Sequence, residues 1–261
     1  MYKSRRPNVS LMRRTIGAAS RRLERPELVA AFYAGARQGL REEIAIKAII
    51  ASILRSDATY VDIGTNRGQV LGEAVRVAPR GQHLAFEPIP ALAAEVARTF
   101  PDVLCRQVAL GARPETATFC HFRSLEGWSG LRRSPEISDE RGDPEYIDVE
   151  VSTLDAEIGE LVPSLIKIDV EGAELAVLEG ARTVLAQTRP VVLFEHVGSA
   201  AALYESSIEA PWDLLAGLGY EIFSVTGDGP FARSDFAANT TVVNWLATPN
   251  AANGRDPTAR E

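Results

Sequence analysis

Cysteine is nearly absent from this chain. Cys105 and Cys120 are the only two among 261 residues, too few for a disulfide framework or a metal cluster. Both therefore read as reduced, buried thiols of a cytoplasmic protein. Long hydrophobic runs are missing too. None approaches the ~20 residues of a membrane span, and Lys47 interrupts even the stretch from Ile44 to Leu54. The start is basic but has no apolar core and no small-residue cleavage site, so no secretory signal is expected. Positive charge is scarce beyond that start. The first 25 residues hold eight Lys and Arg against Glu24 alone, while the whole chain carries −7, which leaves the remainder at −14. So acidic a body is a poor nucleic-acid surface, and no nucleic-acid partner is expected. The recurring arginine pairs of residues 1–25, with Leu11, Met12, Ile16 and Leu23 between them, admit contact with an anionic membrane surface. A flexible, solvated arm is the simpler reading. Absent as well is the Gly-x-Gly-x-x-Gly fingerprint of a dinucleotide site, which counts against a nicotinamide oxidoreductase.

What is present fits one globular domain with a sizeable core: 46% of the residues are hydrophobic and 24% charged. The most informative stretch is Asp62-Ile63-Gly64-Thr65-Asn66-Arg67-Gly68, which follows the apolar Tyr60-Val61. It reads as a buried strand entering a glycine turn and then a helix, the geometry that sets backbone against a nucleotide. Asp62 stands where a dinucleotide would bring its pyrophosphate. A carboxylate there repels phosphate but suits the ammonium and ribose of S-adenosylmethionine. On the next apolar segment, His83-Leu84-Ala85-Phe86-Glu87-Pro88, Glu87 falls roughly 20 residues past the turn, where a ribose-binding acid is expected. Together the two signals favour an adenosine-type cofactor.

Residues 26–58 form a helical segment with an expected break near Gly35 and Gly39. From Thr59 short apolar runs alternate with helical stretches. Strands are expected at 59–63, 83–87, 103–109, 164–169, 191–196, 220–225 and 240–247. Helices are expected at 68–78, 90–99, 172–187 and 211–218. This alternation indicates a mostly parallel sheet with helices on both faces. The last two strands have a short Gly-rich connection without a helix, so they should form an antiparallel hairpin at one edge. Thr116–Phe122 and Tyr146–Val151 also have strand composition. The polar insertion 123–145 between them, with Gly127-Trp128-Ser129-Gly130, reads as a lid or substrate contact, or as a loop merely anchored by its tryptophan. Residues 250–261 read as a disordered tail, which leaves 59–249 as the domain proper.

In the second half, Leu165-Ile166-Lys167-Ile168-Asp169-Val170-Glu171-Gly172-Ala173-Glu174 is a strand that delivers charge at its carboxyl end and then enters a helix. Ligands of open parallel sheets bind outside the carboxyl ends of strands, near the point where strand order reverses. The next strand, Val191–Phe194, ends in Glu195-His196, so these acids and the histidine are candidates for one cleft. These blocks, with Ser152-Thr153-Leu154-Asp155, Val177-Leu178-Glu179-Gly180-Ala181 and Phe194-Glu195-His196, resemble the FkbM family of S-adenosylmethionine-dependent methyltransferases over about residues 59–247. The Lys-Ile-Asp-Val-Glu-Gly-Ala-Glu block is the most specific. Arg67 departs from the family pattern, standing where an apolar residue is usual, and reads as a contact to the methionine carboxylate or as a solvent-facing cation.

The resemblance implies a Rossmann-like seven-stranded methyltransferase fold. It also implies O-methylation of a hydroxyl on a sugar, glycolipid or polyketide-type metabolite, with a small-molecule or glycan acceptor as partner. The cofactor residues are then Asp62, Gly64, Thr65, Asn66, Gly68, Glu87, Pro88, Asp169 and Glu171, with Gln107, Val108 and Ala109 bordering the adenine. Methyl transfer to oxygen needs alignment and removal of a proton, and a positioned base contributes roughly 100- to 10,000-fold. His196 is the first candidate for that base, because an unperturbed imidazole is largely neutral at pH 7; the plain alternative is a buried, hydrogen-bonded histidine at a strand end. Asp169 is the other candidate. Lys167 is expected in a buried ion pair with Glu171 or Glu195, and it or Glu195 sets the local charge. Glu174 reads as structural, a helix N-terminal acid. Asp169, Glu171 and Glu195 offer oxygen ligands for Mg²⁺, but without diagnostic spacing no metal is expected. A nicotinamide oxidoreductase and a noncatalytic domain of the same fold are the other classes.

Overall fold

The computed structural model describes residues 26–250. The expected basic arm, 1–25, and the expected tail from 251 onward lie outside the described residues. By its internal contacts the chain divides into two units, 1–44 and 45–261. A single helix, α1, runs Pro26–Ile53 without the break expected near Gly35 and Gly39; intrahelical hydrogen bonding absorbs a lone glycine at a cost of about 1 kcal/mol.

The second unit is built on β1 (Thr59–Ile63), α2 (Gln69–Val77), β2 (Leu84–Phe86), α3 (Pro90–Thr99), β3 (Leu104–Arg106), β4 (Ala109–Leu110) and β5 (Glu115–Phe122). There follow α4 (Asp139–Gly142), β6 (Pro144–Ser152), α5 (Leu154–Glu157), β7 (Pro163–Ile168), α6 (Glu174–Glu179), α7 (Arg182–Thr188) and β8 (Val191–Glu195). The described chain closes with α8 (Gly198–Ala202), α9 (Ala210–Gly217), β9 (Tyr220–Ser224), α10 (Arg233–Ala238) and β10 (Asn244–Pro249). Seven strands form one sheet in the order β3-β2-β1-β7-β8-β10-β9. The first five are parallel neighbours, and β10 lies antiparallel between β8 and β9. This is the Rossmann-like methyltransferase fold. The strands near its centre carry continuous apolar runs because both faces are covered. Val61, Ile63, Phe86, Ile166, Ile168 and Phe194 fill one face, while Tyr60, Ala85, Leu165 and Leu193 fill the other against Leu71 and Val96. Each valine, leucine, isoleucine or phenylalanine among them, removed from water, contributes roughly 1.5–3 kcal/mol.

Four differences from the sequence reading have local causes. The segment expected as one strand over 103–109 divides at Gln107-Val108, so β3 edges the main sheet while β4 joins β6 and β5 in a three-stranded sheet. The helix expected over 172–187 is two helices that part around Gly180-Ala181. A Cβ on Gly180 would lie 2.0 Å from the Gly111 carbonyl oxygen, so a close backbone approach sets the break. The last strand begins at Asn244 rather than 240. Its connection from β9 holds α10, whose Phe236 is buried, and is not helix-free. The insertion is also more ordered than a free loop. Its flanks β5 and β6 pair along their lengths, and Cys120 bridges Gly130 through reciprocal backbone hydrogen bonds of 2.9 and 3.1 Å.

Candidate functional site

Strand order reverses between β1 and β7, and their carboxyl ends carry the charged groups. The register sets Asp62 beside Lys167 and Ile63 beside Ile168. Beyond Ile63 the chain turns sharply. Gly64 has φ +77° and its amide donates to the Phe86 carbonyl at 3.0 Å. A Cβ there would sit 1.8 Å from the Asp169 carbonyl oxygen, and one on Gly68 (φ +73°) 2.6 Å from the Phe100 ring. Both glycines are thus required by packing within the protein itself. Asn66 tolerates φ 50° between them, a left-handed position that asparagine accepts more readily than most residues.

Glu87 fastens this turn to the end of β2. One carboxylate oxygen accepts the Asn66 amide at 2.8 Å and the other the Ile89 amide at 2.9 Å. A carboxylate has about four acceptor positions, so each oxygen keeps one for a ligand hydroxyl. Burial pushes this carboxyl up to about 7, against the two amide hydrogen bonds that favour its charged form. Asp62 is fully buried. It accepts from Thr65 Oγ1 at 2.9 Å, while its Oδ1 has no hydrogen-bond partner of good geometry. The Tyr60 hydroxyl, buried and likewise without one, bears on the same carboxylate. Burial raises the Asp62 carboxyl, opposed by Lys167 and by the Thr65 hydroxyl.

Asp62, Gly64, Thr65, Asn66, Glu87, Pro88, Ala109, Lys167, Asp169 and Glu171 line one cavity of about 450 Å³. Ile89, Leu110, Phe119 and Leu131 supply apolar wall, and Glu126 and Ser129 come from the insertion. Ile89, Leu110 and Phe119 were not singled out in the sequence, whereas Glu126, Ser129 and Leu131 belong to the insertion 123–145, read there as a lid or substrate contact without these residues being told apart from their neighbours. Gly68 is not on this lining. Gln107 and Val108, expected beside the adenine, lie instead on a separate depression with Cys105 and Arg106, because the chain turns away after β3. Lys167 pairs with Asp169 at 2.8 Å rather than with Glu171 or Glu195. Burial alone would depress its ammonium, but Asp169, Asp62 and Glu195 outweigh that and raise it. Arg67 neither reaches into solvent alone nor stands free for a carboxylate ligand. It binds Glu126 through Nε at 3.0 Å and Nη2 at 2.9 Å, and also pairs with Glu95.

A second cavity, of about 660 Å³, lies beside the ends of β7 and β8 and is lined by Trp128, Arg132, Glu136, Glu171, Glu195, His196, Phe236, Asn239 and Trp245. His196 therefore does not share the first cavity with Asp169, and the convergence expected of them is not met. Its ring is 4% exposed and stacks on Phe236 at 5.7 Å, and Nε2 donates to the Ile208 carbonyl at 3.0 Å. Its Nδ1 lies 3.7 Å from Glu174 Oε2, beyond hydrogen-bond reach, and is buried without a partner. Trp245 Nε1 donates to its backbone carbonyl at 3.2 Å. Glu174, read as structural, accepts the Gly172 amide at 2.8 Å and holds the turn before α6.

The insertion contributes to both cavities. Glu126, Gly127, Ser129 and Leu131 face the first, and Trp128, Arg132, Ser134 and Glu136 the second. Among the described residues no group of His, Cys, Asp or Glu is arranged to hold a metal ion, the trio Asp169, Glu171 and Glu195 included. No described helix is long and apolar enough to cross a membrane. Cys105 and Cys120 are unpaired, and burial raises both thiols.

The methyltransferase FkbM domain family matches residues 62–222, well over half of the chain. Methyltransferase sdnD of Sordaria araneosa is 31% identical over 159 residues, 49% of this chain and 61% of that protein. The AMB antimetabolite synthetase AmbE of Pseudomonas aeruginosa is 28% identical over 208 residues, 65% of this chain and 10% of that protein. The chain thus spans less than two thirds of the length of these relatives. A solved FkbM methyltransferase from Methylobacillus flagellatus KT superposes with a TM-score of 0.47 at 17% identity, covering 74% of this chain and 44% of that one.

Proposed function

The chain belongs to the FkbM methyltransferase family, and from that premise we propose that it is an S-adenosylmethionine-dependent O-methyltransferase. Its acceptor is a hydroxyl of a sugar, glycolipid or polyketide-type metabolite. The observation that carries this reading is the first cavity, an acid-lined site at the reversal of strand order whose Glu87 keeps free acceptor positions on both oxygens. When bound, the cofactor supplies an electrophilic methyl on a sulfonium.

The protein's own groups fit that molecule. Glu87 takes the two ribose hydroxyls. Asp62, which borders the cavity, and the Asn66 turn serve the methionine end. Ile89, Ala109, Leu110 and Phe119 enclose the adenine. The cations on the lining, Lys167 and Arg67, are both committed to carboxylates. A pyrophosphate would therefore meet carboxylates rather than a free cation, which weighs against the nicotinamide alternative. The second cavity weighs against a noncatalytic domain, since it places aromatic and polar groups for an acceptor beside the first. Trp128 and the rest of 123–145 form the lid and acceptor wall of a domain spanning 59–249. The Lys167–Asp169 pair and Glu195 set the charge where the cavities meet. His196, whose Nε2 is held by the Ile208 carbonyl and whose ring stacks on Phe236, positions the acceptor wall. The relatives' names, a methyltransferase and an antimetabolite synthetase, support a metabolite acceptor, and the two unpaired thiols support a reducing compartment such as the cytoplasm.

Calorimetric titration with S-adenosylmethionine, S-adenosylhomocysteine and NAD tests the cofactor. Binding of the first two and not the third is expected, and tight NAD binding refutes the reading. Incubation with labelled methyl donor and hydroxylated glycans and metabolites, read by mass spectrometry, tests the acceptor class.

A further inference from the structure

Of the residues lining the two cavities, Glu171 alone belongs to both. It stands just past the end of β7 with φ 56°, a left-handed backbone that a glutamate rarely adopts and that costs of order 1–3 kcal/mol where the surroundings enforce it. The surroundings do enforce it. Gly172 follows at φ 106°, with its Cα so close to the Ala200 carbonyl that a Cβ would lie 2.6 Å from that oxygen. Backbone packing on both sides thus presents the Glu171 side chain at the junction.

The groups facing it come from several elements and are mostly acidic. Asp169 and Lys167 lie on its own segment, Glu174 on α6, Glu195 on β8 and the Tyr204 hydroxyl just past α8. Arg132, Glu136 and His196 complete the second cavity. Lys167 is held by Asp169 at 2.8 Å. Burial, followed by Asp169, Glu195 and Glu174, pushes the Glu171 carboxyl up to about 9, with Lys167 opposing. In the ligand-free protein near neutral pH it therefore holds its proton.

We propose that Glu171 is the group that takes the proton from the acceptor hydroxyl, and that arrival of the methyl donor's cationic sulfonium ionises it for that task. The inference rests on the reading of the first cavity as an S-adenosylmethionine site. A cation set beside this carboxyl favours its charged form, so its proton leaves to solvent as the donor binds. The acceptor O–H then gives its proton to a Glu171 carboxylate oxygen as the acceptor oxygen bonds the methyl carbon. The broken carbon–sulfur bond leaves its electron pair on sulfur, now a neutral thioether. With the cation gone the carboxyl is neutral again, as it began. The site thus has a working base only while a donor is bound.

The test counts protons and does not depend on turnover. Calorimetric titrations at pH 7.5, in buffers of different ionisation enthalpy, compare S-adenosylmethionine with S-adenosylhomocysteine, whose adenosine and amino-acid parts are shared. Wild type is expected to release up to about one proton more with the sulfonium than with the thioether. In Glu171→Gln both ligands are expected to bind and that difference to vanish. Glu171→Asn, which suits a left-handed backbone, serves as the second variant should the first not fold. With an acceptor found by the methyl-label screen, either variant is expected to lose about 100-fold or more in kcat. Equal proton release by the two ligands in wild type, or a difference that survives in the variants, overturns the proposal; so does a variant kcat within tenfold of wild type. Absence of binding by both ligands is a different result: it sinks the cofactor reading, and this inference with it.

Discussion

Replacing Glu87 by Gln probes the cofactor site at its most constrained side chain. In the native protein each carboxylate oxygen is held by a backbone amide, from Asn66 at 2.8 Å and Ile89 at 2.9 Å, and offers one further acceptor position. A carboxamide keeps one oxygen but sets its NH₂ against one of those amides, donor against donor. That leaves a buried N–H unpaired at a cost of about 1–3 kcal/mol in stability. It also removes at least one of the two ribose contacts, and hydrogen bonds to a charged group are worth about 1.5–3 kcal/mol each. A net loss of about 2–3 kcal/mol corresponds to roughly 30- to 150-fold in Kd for S-adenosylmethionine. A pH signature separates this from general loosening. Burial raises the Glu87 carboxyl to about 7, while ribose hydroxyls want it ionised. One unit below that value only about a tenth is ionised, so wild-type affinity should fall roughly tenfold between pH 8 and pH 6 on this account alone. Glu171 adds its own dependence to both proteins, so the informative quantity is the difference between wild type and Glu87→Gln. Titration calorimetry from pH 6 to 9 measures it. Donor affinity within twofold of wild type in a folded variant, or an unchanged pH slope, would refute the assignment of Glu87 to the ribose.

Other expectations follow from the same geometry. Gly64→Ala combines a Cβ placed 1.8 Å from the Asp169 carbonyl oxygen with φ +77°, and should cost more than about 4 kcal/mol or prevent folding; a denaturant midpoint near wild type would show that β1 and β7 are not locked there. Trp128→Ala, altered on the second cavity only, should raise acceptor KM while leaving the donor Kd within about twofold. His196→Asn loses the stack on Phe236 and should destabilise by about 2–4 kcal/mol. Its kcat in the folded fraction should stay within about tenfold, and a 100-fold loss at intact stability would return the base to His196. Glu87 and Glu171 hold folded values of about 7 and about 9, above the unfolded value of about 4.3. The stability they contribute is complete below the unfolded value and is lost as pH rises through 7 and then 9. The Glu87 part is on the order of 3 kcal/mol. The ligand-free protein should thus melt at a lower temperature at pH 9 than at pH 6 by scanning calorimetry, and a flat profile would count against both shifts.

The turn after β1 was legible in the sequence because its signals are local. Tyr60-Val61 marks a buried strand, and β1 ends at Ile63 as read. The reason for its glycines was not legible. Their neighbours, the Asp169 carbonyl and the Phe100 ring, lie 105 and 32 residues away in the chain and are set by packing. The parallel sheet followed from alternating strands and helices, but the division at Gln107-Val108 did not, since continued strand and a change of sheet share the same apolar pattern. His196 illustrates the limit for site residues. Sequence places it at a strand end, but its environment comes from Phe236 and Ile208, which no local periodicity brings together. Phe119 escaped notice, and Glu126 and Leu131 could not be told apart within the insertion 123–145, for the same reason: a hairpin reveals its own pairing, not the surface on which it lands.

The segment 126–136 faces both cavities, the first with its leading half apart from Trp128 and the second with Trp128 and its trailing half, and Arg67 ties its near end to the turn that carries Asn66. On the reading proposed above, this separates two evolutionary pressures along a single stretch of backbone. Changes at Trp128, Arg132 or Glu136 alter what is methylated, while Glu126, Ser129 and Leu131 remain answerable to the donor. Acceptor choice can therefore drift by point substitution within an exchangeable cassette, and a graft of 127–136 from a relative that keeps Glu126, Gly127, Ser129 and Leu131 would carry a new specificity into an unchanged engine.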